Sequence, residues 1–231
     1  MADTSQAGTL ARTHEGQPGL PRGRSRLPLR AVRASQRERL LRSVIAAVSD
    51  IGYPSVTVAD IVRRARVSRA AFYAHFADKE ECFLTATGEG GELMIERAVS
   101  ATRALPAGAS DEDLLRAACR GYLGFLADEP AFARVFYIHM PAAGARAVSR
   151  LDAGTRNFAE RNRRWHEHAR ERHPDWPAVS PEAYLALGGA TTELVRSMVS
   201  AGRIDDLPEL EDTLMALHLA VLAGRPWPPP T

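Results

Sequence analysis

Apolar residues in this chain recur at the three- and four-residue spacing of helix faces, with no convincing alternation of the strand type. The first such stripe runs over residues 35–51, with Ser35 as the predicted N-cap and Gly52 as the predicted stop. Its apolar members are Leu41, Val44, Ile45, Val48 and Ile51. This spacing predicts a helix that buries one face.

Three further helix starts follow at short intervals. Thr57, Ser68 and Asp78 are the predicted N-caps, because each precedes a helical stretch and carries a side chain that accepts a backbone N–H bond. Phe72 and Phe76, four residues apart, are expected to face a small core. Such short helices bury little surface alone, so we expect them to pack on the first helix as one unit.

The remainder of the chain predicts longer helices. Ser110 and Asp113 have the spacing of a capping box, and Pro130 suits the first position of a helix. Gly88, Gly90 and Gly91 are expected to interrupt the helix that begins after Asp78, and we hypothesise a bend or hinge there. The predicted ranges are 78–105, 110–127, 130–140, 144–173, 180–201 and 207–223. The chain is therefore predicted to be all-α, with about nine helices.

Residues 1–34 show neither the helical spacing nor the strand alternation of apolar residues, and Gly and Pro interrupt them repeatedly. This composition predicts a disordered basic arm. Two interpretations of the arm stay open: a solvated tail, or a segment that follows the phosphate backbone or enters a minor groove. Its basic cluster consists of Arg22, Arg24, Arg26, Arg30 and Arg33.

The net charge of +2 is the sum of two unlike regions. Residues 1–80 hold 14 basic and 7 acidic side chains, a net of +7, and residues 81–231 hold 16 and 21, a net of −5. This split predicts a basic end that binds a polyanion and a remainder with another task.

Membrane and secreted classes are not favoured. The longest run without a charged residue, Thr213–Gly224, has twelve residues and is too short to span a bilayer. The N-terminus shows no apolar signal region, and Cys82 and Cys119 form no disulfide framework. We therefore expect a cytoplasmic protein without a membrane partner.

The segment Thr57–Lys79 has the spacing of a helix-turn-helix, whose second helix enters the major groove. Arg69 is able to bond a guanine or a phosphate, and the sequence leaves both open. Ala70 is small enough for close approach to a thymine methyl. Tyr73 and His75 are expected to donate hydrogen bonds to phosphates. The predicted DNA-binding residues are Thr57, Ser68, Arg69, Ala70, Tyr73, Ala74, His75 and Lys79.

Residues 41–84 resemble the DNA-binding domain of TetR/AcrR-type transcriptional regulators. That family's pattern has a Thr opening the second helix, then I-A-x-x-A-G-V-S, then L/F-Y-x-H-F, then K-E/D. Here Ile61–Ser68 reads IVRRARVS, Phe72–Phe76 reads FYAHF, and Lys79 precedes a Glu. Arg66 stands where the family often has Gly, and a left-handed backbone there would cost about 1 kcal/mol. Positions that commonly contact DNA phosphates in the family match Thr57, Ser68, Tyr73, His75 and Lys79.

The resemblance implies three domains: a basic arm (1–34), a three-helix DNA-binding domain (35–80), and a larger helical domain for ligand binding and dimerisation (81–231). The family's pocket for a small molecule lies between helices of the larger domain. The alternative for each candidate pocket residue is that it fills the core. The candidates are Tyr122, Phe125, Phe136, Tyr137, His139, Met140, Phe158, Trp165, Tyr184 and Thr191.

The last two helices are predicted to form a dimer surface, because Gly188 and its small neighbours allow close helix approach and the family dimerises there. The alternative is a helix pair within one chain. The predicted interface residues are Leu187, Gly188, Leu194, Met198, Leu214, His218 and Val221.

No catalytic residues, metal site or cofactor are predicted. The run from Trp165 to His173 contains three histidines but is not HExxH, and a charged solvated helix face explains it. The predicted protein is a homodimeric regulator, expected to be a repressor, that binds a palindromic operator and is released by a small apolar or aromatic effector. The alternatives are an activator, a ligand-independent or non-specific DNA-binding protein and, more remotely, a helical enzyme.

Overall fold

The computed structural model describes residues 8–13 and 28–227. Within these residues the chain forms nine α-helices and no strand, which confirms the all-α prediction. Helix α6 continues directly into a π-helical turn, Val135–His139, which is followed by a 3-10 turn, Met140–Ala143. The α-helices are α1 (Leu29–Ile51), α2 (Val58–Ala65), α3 (Arg69–Tyr73), α4 (Lys79–Arg103), α5 (Asp111–Asp128), α6 (Pro130–Arg134), α7 (Ala145–Arg172), α8 (Pro181–Ser200) and α9 (Glu211–Leu222).

Capping side chains start several helices where the sequence predicts them. Thr57, Ser68, Asp78 and Ser110 each accept a bond from the backbone N–H three residues further on, at 2.8–3.2 Å. Pro130 is the first residue of α6. These predictions are confirmed, because caps depend on residues close together in the chain.

The start of α1 differs from the prediction. The helix begins at Leu29 and its N-cap is Pro28, not Ser35. Proline has a fixed φ and no N–H, so it is tolerated where helical N–H groups lack partners. Arg30 and Arg33 therefore lie on a helix rather than in a disordered arm. The other arginines of the predicted arm, Arg22, Arg24 and Arg26, lie outside the described residues.

A second part of the predicted arm, Gly8–Thr13, is also ordered, which corrects the prediction for these residues. The backbone N–H groups of Thr9 and Leu10 each donate to the Glu129 carboxylate at 2.9 Å, and the Thr9 hydroxyl donates to it at 2.5 Å. Gly8 has a φ of +73°, and a Cβ there would overlap the Oε2 atom of Glu129. The partners are about 120 residues apart in the chain, so no local pattern indicates them.

The three glycines of α4 do not interrupt it, and the predicted interruption is wrong. The helix runs unbroken from Lys79 to Arg103. A Cβ on Gly90 would overlap the ring of Phe132, which is completely buried. The glycine makes room for an aromatic ring, and the packing offsets its low helix propensity.

The chain divides into two compact units. The first contains the described residues up to Leu93 and Asp128–Gly144, and the second contains Met94–Ala127 and the described residues from Ala145 onward. In the first unit α2, α3, α6 and the π-helical turn all pack on α1. This unit therefore contains, besides residues 35–80, the start of α4 and the α6 segment, which packs on α1.

Each unit has its own core. Phe72 and Phe76 are buried in the first unit, as predicted, with ring centroids 5.9 Å apart. Charged contacts accompany the apolar core of the second unit. Asp111 at the start of α5 is 3% exposed and accepts bonds from Arg172 at the end of α7. Glu211 of α9 accepts bonds from Arg116 of α5 at 2.9 Å. Helices distant in sequence are thus joined by ion pairs.

Candidate nucleic-acid interface

The turn between α2 and α3 has a left-handed residue at its centre. Arg66 has φ 56° and ψ 41°, and it is the only described non-glycine residue with a positive φ. Its N–H bonds to the carbonyl of Arg63 at 3.3 Å, and the N–H of Val67 bonds to that of Val62 at 3.2 Å. Arg66 adopts this conformation at a cost of about 1 kcal/mol. The left-handed turn fixes the angle between α2 and α3.

The outer face of α3 is exposed and carries hydrogen-bonding groups. Arg69, Ala70, Tyr73 and Ala74 are all exposed, and Tyr73 keeps 48% of its surface accessible. The Arg69 guanidinium lies 5.7 Å from the centroid of the Tyr73 ring and donates to its hydroxyl at 3.4 Å. Phe72 points the other way and is buried. This face presents a cation and a phenol beside two small residues, which is suited to close approach to a nucleic acid.

His75 follows α3 and lies close to arginines of α1. Burial lowers the pKa of His75, and the positive charges of Arg33 and Arg37 lower it further. Its Nε2 atom is buried without a hydrogen-bond partner within the described part of the chain. Arg37 in turn is paired with Glu89 of α4. The sequence prediction placed Arg33 in the basic arm and did not include Arg37, although their four-residue spacing places both on one helix face.

Two predicted phosphate contacts lie at helix N-termini and have different surroundings. Thr57 is exposed and forms a capping box with Asp60, whose carboxylate accepts from the Thr57 N–H at 3.0 Å. Lys79 is partly buried, and its ammonium donates to the carbonyls of Tyr53 at 2.9 Å and Val56 at 2.8 Å. Burial lowers the pKa of Lys79. Thr57 is thus on the exposed surface, whereas the Lys79 ammonium is bonded to the chain itself.

The charges on the helix-turn-helix surface are only partly compensated. Arg64 pairs with Asp50 at 2.6 Å, and Arg63 lies 3.8 Å from Asp60. Arg66 and Arg69 have no carboxylate within 4 Å among the described residues, and both are exposed. The end of the turn and the start of α3 therefore carry two uncompensated positive charges, which favours an anionic partner.

The candidate pocket residues fall into both units. Phe136, Tyr137, His139 and Met140 belong to the first unit, on the π-helical turn and just after it. Phe136 packs on Phe132 and Tyr137, with centroids 5.5 and 5.3 Å away. Met140 is buried and His139 is half-buried. The candidates in the second unit are Tyr122, Phe125, Phe158, Trp165, Tyr184 and Thr191.

Aromatic and polar side chains gather between α7 and α8 in the second unit. The Tyr184 hydroxyl and His166 Nδ1 are 2.8 Å apart, and the Trp165 and Trp176 rings lie 5.8 Å apart. The Trp165 Nε1 and Thr191 Oγ1 atoms are buried without a described partner. His166 and Trp176 were not predicted here. A shallow groove on this side is lined by Arg156, Ala159, Glu160, Arg163, Pro181, Tyr184 and Leu185.

Four of the predicted interface residues lie in the core of the second unit, which corrects the prediction for them. Leu187, Gly188, Leu214 and His218 are buried within the single chain. A Cβ on Gly188 would lie 3.2 Å from the ring of Phe158 on α7, so the glycine serves an intramolecular contact. Leu194, Met198 and Val221 are partly exposed and remain predictions. The exposed or partly exposed small residues of α8 and α9 are Ala186, Gly189, Ala190, Ala216 and Ala220.

Two histidines of the Trp165–His173 run lie beside single carboxylates, and both cysteines are buried. His173 lies 3.2 Å from Asp111, and His168 lies 3.3 Å from Glu171. Across residues 8–13 and 28–227, no three His, Cys, Asp or Glu side chains gather as a metal site. Burial raises the pKa of the Cys119 thiol to about 12, which leaves it protonated and a poor nucleophile at neutral pH.

Residues 45–86 match the model of the family described as bacterial regulatory proteins, tetR family. A TetR-like transcriptional regulator from Rhodococcus sp. RHA1 is 26% identical and has a TM-score of 0.63, with 87% of this chain and 100% of that chain covered. The fatty acid degradation regulator FadR from Bacillus halodurans has a TM-score of 0.72 at 15% identity, with 84% and 97% covered.

FadR from Bacillus subtilis, in a structure with stearoyl-CoA, has a TM-score of 0.69 at 15% identity, with 81% of this chain and 98% of that chain covered. None of the described helices is long and apolar enough to cross a membrane. The helix-turn-helix geometry, the family match over that segment and the shared fold agree. Residues 45–86 therefore carry a helix-turn-helix domain of the kind found in the tetR family of bacterial regulatory proteins, and the helical domain after it shares the fold of these solved regulators.

Proposed function

We propose that this protein is a cytoplasmic repressor that binds palindromic operator DNA as a homodimer and is released by a small apolar or aromatic effector. The observation that carries the proposal is the exposed face of α3, where Arg69, Ala70, Tyr73 and Ala74 stand beside the uncompensated charge of Arg66. A helix with this composition fits the major groove, and the flanking cations bind phosphates. Thr57, Ser68 and His75 complete the proposed contact surface.

Selection of duplexes from a random pool tests specific DNA binding. We expect the selected duplex to bind at least about a thousandfold more tightly than a scrambled duplex at the same salt concentration. Equal affinity for both duplexes would instead indicate a non-specific DNA-binding protein. Arg69→Ala should change the selected sequence if Arg69 contacts a base, whereas Tyr73→Phe should weaken binding to every sequence alike.

Dimerisation is proposed through the exposed small residues of α8 and α9, together with Leu194, Met198 and Val221. Two recognition helices on a two-fold axis match a palindromic site. No atom lies within 4 Å of the position that a Cβ would take on Gly189, so we expect Gly189→Arg to leave the fold of one chain undisturbed. Sedimentation should give a monomer for Gly189→Arg and a dimer for Gly154→Arg, an equally open glycine on α7. A dimer in both variants would move the interface elsewhere.

The effector is proposed to bind among the helices of the second unit, near its aromatic side chains. The Trp165 and Thr191 polar atoms without partners would supply the few hydrogen bonds that an apolar site needs for orientation. Bacillus subtilis FadR was solved with stearoyl-CoA, so this thioester is the first probe. A hundredfold loss of operator affinity with the probe corresponds to about 2.7 kcal/mol of coupling. Unchanged affinity at saturating probe would exclude the long-chain acyl-CoA class.

A further inference from the structure

The turn between α1 and α2 is fixed by a side chain from a later helix. Lys79, the first residue of α4, donates to the carbonyls of Tyr53 and Val56, which lie 26 and 23 residues earlier in the chain. Its ammonium also lies 4.3 Å from the centroid of the Tyr53 ring, within the range of a cation–π contact. One cation thus closes this turn at both ends.

The same contacts leave Lys79 little capacity for another partner. An ammonium has three N–H donors, and two of them are bonded to carbonyls here. The Tyr53 ring covers a further side of the group, and that ring packs on Phe83 of α4 with centroids 4.7 Å apart. The turn is therefore held by two side chains of α4, one charged and one apolar.

The position of this turn decides where α2 begins. Val56 is 2% exposed, and the next residue, Thr57, caps α2 through its bonds with Asp60. Helix α2 packs on both α1 and α3. A displaced turn would therefore shift Thr57, which belongs to the proposed DNA contact surface, together with the N–H groups at the start of α2, where a helix favours an anion.

We propose that Lys79 is a positioning residue for DNA binding, one that holds the Tyr53–Val56 turn and thereby the start of α2, and that it does not neutralise a phosphate itself. The proposal rests on the DNA-binding function proposed above. It separates Lys79 from Arg66 and Arg69, whose charges face outward without a carboxylate partner among the described residues.

Two substitutions separate positioning from direct contact. Lys79→Met removes the charge and keeps an unbranched apolar stem. Lys79→Arg keeps the charge, but a planar guanidinium does not reproduce a compact donor between two carbonyls beneath a ring. If Lys79 positions the turn, both variants should bind the selected duplex about tenfold more weakly, the scale of one charged hydrogen bond. Tyr53→Leu should weaken binding in the same direction while the lysine charge remains.

The salt dependence of binding gives the decisive readout. The slope of log affinity against log salt concentration becomes shallower by about 0.9 for each phosphate that the protein no longer neutralises. We expect the salt slope of Lys79→Met to equal that of the wild type. Arg69→Gln removes an exposed charge and is the control, whose slope should become shallower. A flatter slope for Lys79→Met, or full affinity for Lys79→Arg, would overturn the proposal and make Lys79 a phosphate ligand.

Hydrogen exchange on the free full-length variants tests the structural step. Peptides covering residues 53–60 should exchange faster in Lys79→Met and Lys79→Arg, and peptides covering residues 111–127 should not change. Faster exchange across the whole chain would indicate general destabilisation and contradict a local role. If the wild-type protein shows no specific binding to any duplex, the proposed function is refuted. If the wild type binds and the Lys79 variants bind equally well, only the positioning role is refuted.

Discussion

In the first unit, Arg66 and Arg69 carry positive charges without a carboxylate within 4 Å among the described residues. In the second unit, Arg116, Arg172 and Arg225 each hold a carboxylate from a distant part of the chain. The three arginines of the second unit join helices, whereas Arg66 and Arg69 are available for the DNA contacts proposed above. Arginine content alone therefore does not mark a nucleic-acid surface.

The cores of the two units differ in a related way. Around Phe72 the first unit packs aromatic rings, and its interhelical pair Arg37–Glu89 is partly exposed, whereas the second unit joins α5 and α7 through the buried carboxylate of Asp111. Apolar burial resists changes of pH and salt, and ion pairs respond to both. The substitutions below test how much each kind of contact contributes, beginning with the largest expected effect and ending with the smallest.

Phe72→Ala should have the largest effect. The ring is completely buried, and its removal is expected to cost about 3–5 kcal/mol of unfolding free energy, through lost burial and the cavity left behind. Urea unfolding followed by circular dichroism measures the loss. Tyr73→Ala, on the adjacent exposed position, is the control and should cost less than about 1 kcal/mol. A loss below about 1 kcal/mol for Phe72→Ala would show that the first unit does not depend on its aromatic core.

Asp111→Asn tests the ion pairs of the second unit. Burial by itself would raise the pKa of Asp111, but the hydrogen bonds and charges of Arg172 and His173 outweigh it, and the pKa is lowered. A lowered folded-state pKa gives stability that is present above the ordinary carboxyl pKa and lost as the pH falls through the folded value. We expect a loss of about 1–2 kcal/mol at pH 7.

The difference between the wild type and Asp111→Asn should shrink as the pH falls from about 4 through the lowered pKa of Asp111, because the carboxyl of the unfolded chain takes up a proton first and that of the folded chain follows. Urea unfolding at several pH values measures it. Glu171→Gln, at an exposed carboxylate of α7, is the control with little expected change. A difference that does not depend on pH would mean that Asp111 contributes through packing and not through charge.

Gly90→Ala and Gly124→Ala form a matched pair. The new methyl group at Gly90 would meet the Phe132 ring, and overpacking should cost about 1–3 kcal/mol. At Gly124, on α5, no atom lies within 4 Å of the added methyl position, so the substitution should stabilise by up to about 1 kcal/mol through helix propensity. Melting temperatures that shift in the same direction for both would contradict the assigned role of Gly90.

Arg66→Gly should have the smallest effect. Glycine adopts a positive φ without steric cost, so the substitution should stabilise the first unit by about 0.5–1 kcal/mol. The same change removes one of the two uncompensated charges beside α3 and should weaken DNA binding. Thermal unfolding and a duplex titration measure the two effects separately. A variant less stable than the wild type would show that the Arg66 side chain stabilises the fold by contacts that offset its strain.

The features predicted correctly from sequence share a short range. Thr57, Ser68, Asp78 and Ser110 cap helices because each bonds to a backbone group three residues away. Helix α3 follows from residues within the helix-turn-helix segment. The resemblance raised a left-handed Arg66 only as a condition, and the backbone of Arg66 adopts that conformation. The resemblance to TetR-type regulators rested on the same stretch, and the family match covers it.

The features that the sequence did not reveal depend on partners far along the chain. Gly90 was predicted to lie in a hinge and Gly188 in a dimer contact. Each instead makes room for an aromatic ring of its own unit. Lys79 has the position of a phosphate ligand, and only the folded turn shows that two carbonyls bind it. The contacts of Gly188 lie within one chain and do not support a role in the dimer. The role of Lys79 is left to the experiments proposed above.

By itself the sequence determined the all-helical fold, the helix-turn-helix and the basic end of the chain, because caps, periodicity and charge act over a few residues. Tertiary structure decided which charges remain uncompensated, which glycines are packed, and that Gly8–Thr13 lies on Glu129 and not in a disordered arm. These outcomes depend on which distant groups meet, since a hydrogen bond, an ion pair or an occupied space exists only once the chain has folded.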